Sequence, residues 1–129
     1  MSKLISFSLV AAGGLVGSVA RYGFALLLQR WAITFPFGTL AANVIGCFVV
    51  GLVTEGAARS GIITSAMRLL LATGFCGGLT TMSSFICESG QFARESEWLF
   101  GLLYFAGTLI GCMAAFLLAI AIVRAAVPA

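Results

Sequence analysis

The sequence predicts an all-α membrane protein with four transmembrane helices, the third of them broken in mid-membrane. Three observations lead there. Hydrophobic residues fill 61% of the 129 positions and charged residues only 9%, where soluble domains carry about 25% charged residues, and the mean hydropathy is +1.15. Four apolar runs follow one another, each near the ~20 residues a helix needs to cross the hydrocarbon core. One run carries glycines and hydroxyls in its middle.

The first span covers residues 4–28. Lys3 ahead of it resembles the start of a signal peptide, but the run continues past signal-peptide length without an A-x-A-like site and reads as a retained helix. Gln29, Arg30 and Pro36 mark the connector to the second span, residues 35–58, with Pro36 suited to its first helical turn. The third span, residues 65–92, opens as Met67-Arg-Leu-Leu-Leu-Ala72 and meets its interruption near residues 75–83. The fourth, residues 98–122, follows a polar loop with Arg94, Glu95 and Glu97. Short connectors then leave no room for an extramembrane domain in these 129 residues, which read as one transmembrane domain. Tyr22 and Trp31 around the first loop, and Trp98 and Tyr104 near the start of the fourth span, suit interfacial anchoring. Gly13-x-x-x-Gly17, Ala42-x-x-x-Gly46 and Gly107-x-x-x-Gly111 offer faces for close helix packing in lipid.

The net charge of +3 comes from seven basic and four acidic residues scattered singly, so no basic patch suggests nucleic acid. Four cysteines sit in apolar stretches, with no C-x-x-C pair and no histidine. They read as small buried side chains, not as a metal set or a disulfide framework. Lys3, Arg59, Arg68 and Arg124 fall to one side of the membrane and Arg21, Arg30 and Arg94 to the other. So even a balance gives the positive-inside rule little to act on. It predicts insertion both ways up and an antiparallel, dual-topology homodimer.

Polar residues inside the spans carry the functional signal. In the third span Gly74, Gly77 and Gly78 precede Thr80, Thr81, Ser83 and Ser84, a poor continuous helix. Backbone freed at that depth must be buried in protein or line a wet cavity, and its carbonyls suit a small cation; the alternative is a kinked helix whose hydroxyls bond back to their own carbonyls. Thr39 and Asn43 are four residues apart and share a helical face, as do Tyr104, Thr108 and Cys112 on the fourth span. Each strip reads either as a polar track or as interhelical glue worth about 1 kcal/mol or less. Met82 and Phe85 share a face if the chain is helical again beyond the interruption. The partly positive edge of a phenylalanine ring suits an anion, although ordinary packing explains a membrane Phe equally. Arg21 and Glu88 lie at unusual depth. They read as vestibule charges, with snorkelling as the alternative for Arg21. Glu55 reads as a membrane-edge residue.

Three long motifs in order, Gly13-Gly-Leu-Val-Gly-Ser-Val-Ala-Arg-Tyr22, Pro36-Phe-Gly-Thr-Leu-Ala-Ala-Asn-Val-Ile-Gly46 and Gly74-Phe-Cys-Gly-Gly-Leu-Thr-Thr-Met-Ser-Ser-Phe85, resemble the small bacterial fluoride channels called CrcB or Fluc. The resemblance covers nearly the whole chain. It implies passive fluoride export across the bacterial inner membrane through two pathways in an antiparallel homodimer. It also implies a structural sodium ion on the dimer axis, held by the backbone carbonyls of Gly77 and Thr80. Asn43 matches the family's pore-lining asparagine, Phe85 the second phenylalanine of its aromatic box and Arg21 its vestibule arginine. Ser83, Ser84, Thr39, Tyr104 and Thr108 join the expected pathway, and Glu88 the vestibule. Met82 departs from the family pattern by standing where the first phenylalanine of the box belongs, and Cys112 by standing where a serine is common.

Two other readings compete. A dual-topology exporter of hydrophobic cations would share the four helices and the balanced charges, but needs a carboxylate in the first span, which has none. A non-transporting scaffold subunit needs only the glycine-rich faces. No nucleophile, metal set or acid–base pair for an enzyme can be assembled, and no organic cofactor is expected.

Overall fold

The computed structural model describes residues 2–31, 35–61 and 63–127, and every regular element among them is helical. Four helices are long and apolar enough to cross a membrane: Lys3–Leu28, Phe37–Arg59, Ser65–Arg94 and Trp98–Ala126. The chain is a multi-pass membrane protein.

Helix α1 (Lys3–Leu28) is capped by the Ser2 hydroxyl, which accepts from the Ile5 amide, and ends in a 3-10 turn, Gln29–Trp31. Helix α2 (Phe37–Arg59) begins one residue later than Pro36. The ψ of 67° at Pro36 is not helical, so this proline is the cap of α2 and not part of its first turn. The third span is composite. It opens with α3 (Ser65–Arg68), capped by the Thr64 hydroxyl, and winds on as π-helix through Leu69–Cys76. A single α-turn, α4 (Gly77–Leu79), leads to Thr80 and Thr81, both extended. Helix α5 (Met82–Arg94) follows, and α6 (Trp98–Ala126) completes the bundle.

Small residues decide how closely these helices approach. A Cβ at Gly13 would strike the Leu70 carbonyl, and one at Gly17 the Phe75 carbonyl. Helix α1 thus lies backbone to backbone on the π-helical run, a contact only glycine allows. Ala42 and Gly46 are likewise buried on α2. Gly107 is different: it is exposed, with nothing within 4 Å of its Cβ position among the described residues.

Helix α2 packs closely along α6. Where these two helices end, Glu55 Oε1 accepts from both Arg59 Nε and Arg124 Nε at 2.8 Å. Arg59 Nη1 also donates to the Val127 carbonyl at 3.2 Å. Glu55 is therefore more than an edge residue: it clasps the two C-termini together.

Tyr22 and Trp98 are exposed, as anchors must be. Tyr104 is not an anchor, because it is fully buried and its ring packs against Phe35, Phe85 and Phe92. The side chain of Trp31 lies outside the described residues.

Candidate functional site

Asn43 faces the two extended residues from the middle of α2. Its Oδ1 accepts from the Thr81 amide at 2.7 Å, and its Nδ2 donates to the Thr81 carbonyl at 3.2 Å. One carboxamide thereby serves both backbone groups of a single residue. At membrane depth such groups need a protein partner, because lipid offers none.

Neighbouring side chains complete the arrangement. The Thr81 hydroxyl accepts from the Ser84 amide at 3.2 Å and caps α5. The Ser83 and Ser84 hydroxyls each lie 3.1 Å from it. Arg21 crosses from α1 and donates Nε to the Gly78 carbonyl at 3.1 Å. In a continuous α-helix the Thr81 amide would reach back to the Gly77 carbonyl, and the Ser84 amide to that of Thr80. Asn43 and the Thr81 hydroxyl take those two donors instead. The carbonyls of Gly77 and Thr80 thereby lose the amide donors that a continuous helix would give them.

A groove of about 540 Å³ runs between α2, the third span and α6. Asn43, Gly77, Thr80, Thr81, Met82, Phe85 and Thr108 all line it. The Thr108 hydroxyl is buried and has no hydrogen-bond partner among the described residues, an arrangement that ordinarily costs about 1–3 kcal/mol. Met82 is 66% exposed and Phe85 only 2%. The Phe85 ring is wedged against Tyr104 and Phe105, with both centroid distances 5.3 Å.

Thr39, Glu88 and Tyr104 form a second polar set. The Thr39 hydroxyl donates to Glu88 Oε1 at 2.7 Å, and the Tyr104 hydroxyl to Oε2 at 2.5 Å. This carboxylate joins α2, α5 and α6 by accepting two hydroxyls; among the described residues no lysine or arginine forms a salt bridge with it. Tyr104 links the sets, since its ring packs on Phe85 while its hydroxyl holds Glu88.

The structure thus brings Asn43, Thr80, Met82, Phe85, Thr108 and the Gly77 backbone to one groove. It gathers Thr39, Glu88 and Tyr104 beside them, and it ties Ser83 and Ser84 into the cap of α5. Arg21 stands on the α1 side of the same turn. Thr81 is left out of the expected pathway residues, although a Thr just ahead of a resuming helix is a favoured N-cap residue. Sequence reasoning also missed that Cys47, Cys76 and Cys112 all line the groove.

A family model described as CrcB-like protein, Camphor Resistance (CrcB), matches residues 8–120. The chain belongs to the CrcB family. Among CrcB relatives, the fluoride-specific ion channel FluC of Prosthecochloris aestuarii is 42% identical over 116 residues, 90% of this chain and 91% of its own length. FluC of Chlorobium phaeobacteroides is 46% identical over 103 residues, 80% of each chain. FluC of Rhizobium etli is 41% identical over 127 residues, 95% of this chain and 98% of its own. Membership places the chain among ion channels and not among enzymes.

Proposed function

We propose that this chain is a fluoride channel: two copies, inserted antiparallel, carry fluoride passively out across the bacterial inner membrane, one pathway along each groove. The third span is then a helix interrupted at mid-membrane, with Thr80 and Thr81 as the gap. The observation that carries the reading is Asn43 on the groove wall, holding the Thr81 backbone, opposite Thr108, a lining residue whose buried hydroxyl has no partner among the described residues.

Fluoride is strongly hydrated, so a route through protein must replace its water with donors. The Thr81 carbonyl uses one of the two Asn43 Nδ2 hydrogens, which leaves the other for the ion, and Thr108 offers its hydroxyl. The Phe85 edge adds a weakly positive surface. The one lysine of the sequence, Lys3, stands at the first residue of α1, away from the groove lining, and cannot trap the anion there. The Glu88 carboxylate holds the Thr39 and Tyr104 hydroxyls in place, and its own charge opposes long residence. Weak binding of this kind permits release.

The Gly77 and Thr80 carbonyls suit a structural sodium ion on the dimer axis. Both are neutral oxygens whose helical donors are diverted elsewhere, the type of ligand a hard cation takes. An ion held by these carbonyls would supply positive charge beside the groove and could link the third spans of the two copies.

Efflux of fluoride and chloride, measured side by side from vesicles reconstituted with the purified chain, tests this function. Fluoride leaves and chloride stays, with no nucleotide required; replacing sodium by a bulky organic cation slows the efflux. Vesicles that retain fluoride would overturn the reading.

A further inference from the structure

Cys47 lies one helical turn beyond Asn43 on α2, and Cys112 one turn beyond Thr108 on α6. The spacing of four residues puts each thiol on the same face as its polar neighbour, and both line the groove. The two residues stand on α2 and α6, which pack against each other, and face one groove from either side. Cys76, at the end of the π-helical run, lines the same space. All three are free cysteines. The fourth, Cys87, is exposed on α5 and is not part of the groove lining.

We infer that Cys47 and Cys112 form a two-thiol site for a soft, thiophilic cation such as Hg²⁺, Ag⁺ or Cu⁺. Thiolates select soft ions, whereas the oxygens around Thr80 and Thr81 suit hard ones. Among the described residues no cluster of three Cys, His, Asp or Glu side chains could hold a metal ion, so the coordination is two-fold, an arrangement these ions accept. With mercury the step is RSH + HSR + Hg²⁺ → RS–Hg–SR + 2 H⁺. Two S–H bonds break, two S–Hg bonds form, the protons leave to water and no oxidation state changes. Metal binding by thiols releases protons in this way.

The bridge would cross the groove one turn from Asn43 and Thr108 and close it. That consequence rests on the groove being the fluoride pathway; the site itself does not.

The full-length chain is treated with equimolar HgCl₂, unfolded and alkylated, and each cysteine peptide is read by mass spectrometry. Fluoride efflux is followed in parallel, normalised to each variant's own metal-free rate. Cys47 and Cys112 are protected together and efflux stops. Cys47→Ser or Cys112→Ser removes the joint protection and the block at the same dose, and Cys87→Ser changes neither. Full alkylation of Cys47 and Cys112 in the treated wild type would overturn the site, as would a block that survives in both serine variants. Joint protection without a block upholds the site and instead contradicts the pathway assigned to this groove.

Discussion

A primary carboxamide both donates and accepts, and Asn43 uses both capacities on one residue. Replacing it leaves the Thr81 amide and carbonyl without their partner at a buried position. Asn43→Ala should therefore destabilise the protein by about 2 kcal/mol, the range for stranding buried polar groups, read as a lower thermal midpoint in detergent. Asn43→Asp keeps an acceptor for the Thr81 amide but loses the donor, and should fall between. Met82 makes the opposite kind of prediction. A thioether has no aromatic edge to offer an anion, so Met82→Phe should raise fluoride flux in vesicles; equal or lower flux would refute a guiding role for position 82. Asn43, Phe85 and Thr108 stood out in the sequence because polar or motif-placed residues are conspicuous in apolar spans. The Thr39–Glu88–Tyr104 set did not. Its members are far apart along the chain, and only the meeting of α2, α5 and α6 makes one carboxylate serve two hydroxyls.

At the scale of elements, close approach of α1 to the third span explains why glycine stands at position 17. Gly17→Val would drive a branched side chain into the Phe75 carbonyl. The expected cost is about 1–3 kcal/mol, typical of overpacking, visible as a lower thermal midpoint in detergent. The four spans were legible because hydropathy over some twenty residues is a strong, averaged signal. The π-helical run Leu69–Cys76 was not. A ladder of i→i+5 bonds has no residue pattern of its own, and it forms where packing against α1 favours it. Small-residue spacing was only a partial guide: Gly13 and Gly17 meet a neighbouring backbone, whereas Gly107 points away from the other described helices. Spacing tells which residues share a face, but not whether anything covers that face. Tyr104 teaches the same lesson, since its place near a helix start suggested an anchor until α5 was seen to cover it.

For the whole molecule, alternation of the four spans places the ends of α2 and α6 on one side, where Glu55 gathers Arg59 and Arg124. Pairing two of the basic residues with one acid further blunts a charge balance that was nearly even already. The proposed antiparallel pair then predicts that cysteine labelling at residue 2, from outside intact cells, finds about half of the copies accessible, because the positive-inside rule has little bias to act on. One uniform orientation would count against it. The central claim is narrower: fluoride passes along the groove beside the Thr80–Thr81 gap. Thr108→Val tests it most directly, since valine keeps the shape and removes a hydroxyl that has no partner among the described residues. Fluoride efflux should fall by about tenfold, the effect of ~1.4 kcal/mol on a barrier, while the thermal midpoint holds or rises. Unchanged efflux from an equally stable variant would contradict the pathway.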